Sequence, residues 1–498
     1  MEQQSHVQQT LVSDVGFRFD TQYTRLPTVF YSPGSPDPAP HPSICMVNDA
    51  LAEELGLRLE GLSLESQAAL FSGSVLGEGS DPFSQAYAGH QFGGFSILGD
   101  GRAHLLGEHI APNGQRVDIQ LKGSGRTLYS RGGDGRATLG PMLREYLISE
   151  AMYALGIPTT RSLAVVGTGA QVWREEPLPG AILTRVAASH LRVGTFEFAA
   201  ANGNPQHLQA LLDYTIERHW PTLAAEPCPA LALWDEVAQR QTALVASWMR
   251  VGFIHGVMNT DNVTLSGETI DYGPCAFMDR YDRATVFSSI DHSGRYAFGN
   301  QPSIVQWNLA RFAEALLPLI DADQKKALAL AEERLAQSRV WMNQAWTDMM
   351  RAKLGLPGEQ EDDLSLAVDL LTLMKQTSAD YTDTFRALSG ATALPAALES
   401  ASGWNEWQAR WDERCQRTNG DLPADADRDR MRSANPAVIP RNHLVEEALD
   451  AAVREQDLGP LTKLLDALRK PYEERSDLAA FQGPVPDSFS RYQTFCGT

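Results

Sequence analysis

Apolar positions along the chain change their period twice. From about Gly93 to Thr184, the β-prone runs RAHLLGEHI, RVDIQLK, SLAVVG, AQVWRE and AILTRVA alternate with glycine-rich turns, which predicts a small sheet. One stretch inside it keeps helical spacing instead: Met142, Leu143, Tyr146, Leu147, Ala151 and Ala154 recur behind Pro141 until Gly156. From about Asn204 onward helical spacing dominates. Helices are expected over 235–251, with Asp235 as N-cap and Gly252 as the stop, and over 306–319, 323–352 and 444–455. Ahead of the sheet, YSPGSPDPAPHP (31–42) reads as an extended arm leading to a short helix over 46–55. Polar breaks begin at Gly355 (GLPGEQEDD) and Asn419 (NGDLPADADRDR).

At 498 residues the chain exceeds a single core, so two or more lobes are expected. A hydrophobic fraction of 43% with 21% charged residues is ordinary for a soluble protein. The net charge of -20 argues against broad binding to nucleic acid or anionic membranes, whose phosphates demand basic surface. The five cysteines, Cys45, Cys228, Cys275, Cys415 and Cys496, show no CxxC spacing, which speaks against zinc and fits a reducing compartment. The start lacks a basic n-region and an apolar h-region, and no apolar run is long enough for a membrane span. A cytoplasmic monomer is expected.

The candidate chemistry follows the order of protein-kinase motifs. Lys122 ends an apolar strand and Glu145 follows 23 positions later on the lone helix, as a kinase's strand lysine and helix glutamate do; Glu150 is a competing partner. Gly99-Asp100-Gly101-Arg102 and Gly132-Gly133-Asp134-Gly135 supply backbone able to approach phosphates closely. DIQLKGSGR resembles a strand entering a dinucleotide fingerprint, but TLYSRGGDG cannot continue into the required helix, and no GK[ST] string marks a P-loop. In FIHGVMNTDNVTLSGETIDYG, His255, Asn262 and Asp271 stand in the order of the kinase histidine, its following asparagine and the metal-binding aspartate. A hairpin over 262–273 would bring Asn262 and Asp271 together, an oxygen pair suited to a hard cation such as Mg²⁺. The kinase base would fall on Val257, which accepts no proton; Asp261 is the nearest replacement, with a turn or cap role as its alternative, and His255 reads as structural. Arg185 and Arg192 lie where the smaller lobe hands over to the larger, as phosphate clamps or as ordinary salt-bridge arginines.

These strings, above all YAGHQFGGFSILGDGRAHLLGE, DIQLKGSGRTLYSRGGDGRATLGPMLREYLISEAM, HGVMNTDN and IDYGP, resemble the selenoprotein O family of protein adenylyltransferases over nearly the whole chain. NPAVIPRNHLVEEA resembles its C-terminal region. The resemblance implies an α+β, protein-kinase-like bilobal fold: an extension over 1–92 wrapping the core, an N-lobe over 93–190, a C-lobe over 191–400 and a helical extension over 401–498 ending near Cys496. It implies ATP bound end for end, so that AMP passes to Ser, Thr or Tyr hydroxyls of protein substrates. Gly99, Gly101, Arg102, Lys122, Asp134, Gly135, Arg185 and Arg192 then contact ATP, with Glu145 aligning Lys122. Asn262 and Asp271 hold Mg²⁺ or Mn²⁺, and Asp261 accepts the proton. Some relatives pair the cysteine near the end with one in the activation-segment region; here 281–292 has none, and Cys275 is the nearby candidate for a redox pair with Cys496. A phosphotransferase using Asp261, or a nucleotide-binding scaffold, are the competing functions.

Overall fold

The computed structural model describes residues 11–12, 15–419, 425–483, 485–489 and 491–495, so Cys496 lies outside the described residues. The fold is a mixed α/β arrangement, a largely antiparallel sheet joined to many helices. The main path of the eight-stranded sheet is built from β1 (Tyr31–Pro33), β2 (Ser43–Val47), β3 (Phe83–Gln85), β4 (Ala103–Ile110), β5 (Arg116–Lys122), β6 (Arg161–Trp173) and β7 (Pro177–Ala187), and the short strand Ala137–Thr138 pairs with β7 off that path. They lie in the order β1-β3-β4-β5-β7-β6-β2, every neighbouring pair antiparallel.

The proline-rich arm therefore joins the two opposite edges of the sheet. Along its path Asp37 N–H donates to Ser124 O (2.8 Å) and His41 N–H to Thr168 O (3.0 Å). The helix expected over 46–55 begins only at Asp49, capped by Asn48, because Met46 and Val47 are used in edge pairing with β6.

Strand alternation divides the sheet's two faces. Ile119 and Leu121 of β5, with Ile182 and Val186 of β7, enter an apolar cluster with Leu51, Leu55, Leu70 and Phe71 of the two early helices. The intervening Gln120, Lys122 and Arg185 consequently face the other way, where Gln120 sits opposite Arg185. On that side lies α1 (Leu139–Ala154), which starts behind Thr138, so Pro141 is its third residue rather than its first. α1 is buried nearly all round: β6 and β7 cover one side, and the helices Asn442–Asp450 and Gly459–Leu468 the other. Arg144 fastens it there through Glu446 (2.8 Å) and Cys275 O (2.6 Å).

The remaining body is helical, with α2 (Val193–Ala201), α3 (Pro229–Arg250), α4 (Gln301–Ile320) and α5 (Gln324–Leu354) forming a large common core with α1. Asp235 is not the cap of α3: the helix begins six residues earlier, with Pro229 at its first position, so the apolar PALALW run is part of it. Gly252 does follow its end, at φ 75°. The helix expected over 323–352 is α5, with Asp323 as its cap, the side chain accepting from Lys325 N–H.

Lys353, near the end of α5, is 1% exposed. It donates to Arg250 O (2.7 Å) and lies 4.0 Å from the Phe385 ring centroid, and burial holds its ammonium well below the ordinary lysine range. The unfolded chain then binds more protons than the folded one between the two pKa values, so stability rises with pH across that window. Relative to Lys353→Met, the wild type should gain thermal stability as pH rises toward the ordinary lysine range; parallel slopes of the two proteins in melting experiments would contradict it.

Candidate active site

The predicted hairpin over 262–273 does not form as a strand pair. Thr264 bridges to Arg192 and Thr269 to Thr159, so each arm pairs with a different neighbour. Thr264 Oγ1 donating to Glu268 O (2.6 Å) closes the turn between them. Val193 N–H to Val263 O (2.9 Å) and Leu265 N–H to Leu191 O (2.9 Å) bind this segment to the start of α2. His255 is buried and structural, its Nε2 bonded to Ile270 O (2.9 Å), which steadies the residue before Asp271. Asp271 itself has φ 63°, a left-handed conformation that aspartate tolerates better than most side chains.

These elements surround a cavity of about 780 Å³, in the range of small-molecule sites. Its lining includes Gly99, Gly101, Arg102, Lys122, Asp134, Gly135, Glu145, Arg185, Arg192, Asp261, Asn262 and Asp271, the residues the sequence singled out. Glu150 is elsewhere, held by Arg161 (2.8 Å) and Asn48 (2.8 Å), so Glu145 is the partner of Lys122.

At the centre, Lys122 Nζ donates to Glu145 Oε2 (2.6 Å) and Asp271 Oδ1 (2.7 Å). Arg185 donates from Nε to Glu145 Oε1 (2.8 Å) and from Nη2 to Asp271 Oδ1 (2.6 Å), and Nη2 also pairs with Glu145. Arg192 Nη1 reaches Asp271 Oδ2 (3.0 Å) and Asp261 O (2.6 Å). Burial opposes the charge on Asp271, but Arg185, Lys122 and Arg192 together outweigh it and hold the carboxyl well below its usual range. Asp261 lacks that compensation: burial dominates, Asp271 adds repulsion, and its pKa is raised to about 6 despite Arg192.

Two glycine stretches form the rim. A β-carbon at Gly99 would fall 2.4 Å from the Tyr129 ring, and one at Gly135 would fall 2.2 Å from the backbone of Gly125, so side chains are excluded where the loops close on the cavity. Asp134 is clamped by Arg174 Nη1 (2.8 Å), the bond that lowers its pKa first, and it accepts from Arg136 N–H (2.9 Å).

Asn262 Nδ2 donates to Val257 O (2.9 Å), which leaves its amide oxygen as the free donor atom. Among the described residues, Asp261 Oδ1 is buried without a hydrogen-bond partner. The Asn262 amide oxygen and the Asp271 carboxylate form an all-oxygen pair suited to Mg²⁺ or Mn²⁺. Among the described residues no group of three or more His, Cys, Asp or Glu side chains could hold a metal. Two protein ligands plus phosphate oxygens is the usual arrangement for a nucleotide-bound magnesium, so the residues fit the ion.

A family model described as "Protein adenylyltransferase SelO" matches residues 15–469. This chain belongs to the SelO family. "Protein nucleotidyltransferase YdiU" of Geobacillus kaustophilus is 55% identical over 485 residues, covering 97% of this chain and 100% of that protein. The protein of the same name from Brevibacillus brevis is 56% identical over 483 residues, covering 97% and 98%. Membership of the SelO family makes the chain a nucleotidyltransferase. Among the described residues, no helix is long and apolar enough to cross a membrane.

Sequence reasoning missed the hairpin that covers Asp261 in this SelO-family site. Ala88–Gln91 pairs with Gly94–Ile97, Gln91 Nε2 lies 3.4 Å from Asp261 Oδ2, and a β-carbon at Gly89 would meet Asp261 Oδ1 at 2.2 Å. The turn letters FGG between two short runs are its sequence signal. Arg174 had none, because its partner is 40 residues away. Cys275 is buried, its thiol donating to Tyr272 O (3.4 Å), and burial pushes its pKa up to about 11.

Proposed function

We propose that the protein transfers AMP from ATP to a serine, threonine or tyrosine hydroxyl of another protein. The fold around the cavity is read as kinase-like and bilobal, with ATP turned so that its α-phosphorus faces Asp261. The observation that carries this reading is Asp261: a carboxylate with an unpartnered buried oxygen stands beside the Lys122–Glu145–Asp271 cluster, where Val257 leaves the ordinary kinase base missing.

The Asp261 carboxylate takes the proton of the acceptor hydroxyl as the hydroxyl oxygen forms a bond to the α-phosphorus. The bond from that phosphorus to the bridging oxygen breaks, and its electron pair leaves on pyrophosphate. Lys122, Arg185, Arg192 and Arg102 receive the phosphate charge, with Glu145 aligning Lys122 and Arg185. Backbone of Gly99, Gly101 and Gly135 permits close approach, and Asp134 holds the last of these loops in place. Asn262 and Asp271 would hold Mg²⁺ or Mn²⁺, which supplies charge neutralisation at the phosphates when bound. A cytoplasmic monomer acting on protein, not on nucleic acid or membranes, is the reading of composition and site together.

The phosphotransferase reading uses the same residues but moves the γ-phosphate. ATP labelled separately at the α and γ positions tells them apart. Protein should acquire α-label only; γ-label alone would establish the kinase, and neither label with ATP still bound would establish a scaffold.

A further inference from the structure

The hairpin over Asp261 turns at Phe92 and Gly93, at φ 51° and 89°, the positive pair a tight hairpin turn requires. Phenylalanine is a costly residue in this left-handed conformation. The turn is held by Phe92 N–H to Asn259 Oδ1 (3.0 Å) and by the Phe92 ring 5.1 Å from Tyr296, yet the ring stays 39% exposed on the cavity rim. Strain thus keeps an apolar side chain at the mouth of the site.

Backbone groups in an antiparallel pair alternate between pointing at the partner strand and pointing away. The register pairs Gly89 with Ser96 and His90 with Phe95, and Leu98 N–H donates to Tyr87 O (2.9 Å), which makes Gly89–Ser96 a bonded pair and turns His90 outward. His90 N–H accordingly donates to Thr260 Oγ1 (2.7 Å) on the docked side. On the opposite side the same alternation turns the N–H and C=O groups of Phe95 and Ile97 outward, and no described residue bonds to them. Their side chains are 45% and 53% exposed. Beside the turn stands a cation: the Arg295 guanidinium packs 4.7 Å over Trp307, and its Nη2 lies 4.0 Å from where a β-carbon at Gly93 would fall.

A free strand edge, exposed apolar side chains and a cation are therefore continuous with the rim of the catalytic cavity. We propose that the outer edge of Gly94–Ile97 is the docking rail for the protein acceptor. An extended segment next to the acceptor residue adds to this edge as a further strand, with alternate apolar side chains against Phe95 and Ile97 and an acidic residue toward Arg295. The acceptor hydroxyl then falls beyond the turn at Phe92, over Asp261. Main-chain pairing supplies affinity without demanding one sequence, and the side-chain alternation supplies the preference. This deepens the proposed protein-directed transfer and rests on it.

The test uses a positional-scanning library of synthetic peptides with a fixed central serine or tyrosine, α-labelled ATP, and two variants of the full chain. Phe95→Ser/Ile97→Ser removes the apolar contacts, and Phe95→Pro removes one outward donor; neither residue lines the nucleotide cavity. Wild type should prefer apolar residues at alternate positions on one side of the acceptor, with Asp or Glu nearby. Both variants should raise the peptide KM by about tenfold, with ATP affinity and ATP hydrolysis to AMP unchanged. If Phe95→Pro fails to melt cooperatively, the double variant carries the test. An unchanged KM, a flat library, or a wild-type dimer by light scattering that the double variant dissolves would overturn the docking proposal while leaving adenylyl transfer intact. A wild type that labels neither peptide nor protein would take down both.

Discussion

Replacing Asp271 with asparagine should cut transfer at saturating ATP by on the order of a hundredfold or more, the rate equivalent of losing several kcal/mol of charge stabilisation. Asparagine keeps the shape and, like aspartate, tolerates φ 63°, so backbone conformation is not the cause. What goes is the charge that binds Lys122 (2.7 Å), Arg185 (2.6 Å) and Arg192 (3.0 Å) and that would ligate the metal. The same change should lower stability without nucleotide, since Lys122 and Arg185 would then share only the Glu145 carboxylate and Arg192 would lose its carboxylate partner; breaking such pairs typically costs about 3–5 kcal/mol. Asp271 is 24% exposed at its side chain, which places the loss toward the lower end. Label transfer and thermal melting check both effects. Full activity with tight ATP binding in Asp271→Asn would remove it from the centre of the site.

Asp261→Asn should behave differently: a kcat loss of about 10²–10⁴, the usual range for a general base, with ATP affinity largely kept. Asp261 makes no side-chain bond to the cationic cluster; its Oδ1 is unpartnered and only its backbone oxygen meets Arg192 (2.6 Å). Gly89→Ala is the steric counterpart, because its β-carbon must displace the Asp261 carboxylate or lift the hairpin. Binding by calorimetry and kcat by label transfer separate the roles. A large drop in ATP affinity with kcat preserved would make Asp261 a binding residue instead.

The site was legible where its signals are local in the chain. Lys122, Glu145, Asn262 and Asp271 keep the order of a known motif set, and alternation in β5 and β7 sends Lys122 and Arg185 to one face while Ile119 and Ile182 fill the other. Strong periodicity likewise gave the strand Arg116–Lys122 with both ends correct. Failures came where tertiary partners override local pattern. Asp235 resembles a cap, but Pro229 starts the helix. Residues 262–273 read as a hairpin, yet each arm makes a single bridge to a different segment, at Arg192 and at Thr159. Met46 and Val47 read as helical but pair with β6 across the sheet edge. Gln91 and Asp261 are 170 residues apart, and nothing in either neighbourhood announces the other.

The threefold hold on Asp271 also bears on how a catalytic cycle ends. On the proposed reading, a bound triphosphate would compete with Asp271 for Arg185, Arg192 and Lys122, which would leave the carboxylate open to hold the metal with Asn262. With pyrophosphate gone, Asp271 would again share Lys122 and Arg185 with Glu145 and be the carboxylate that meets Arg192, so the ion pairs that hold these buried cations in the fold would also favour release of the metal.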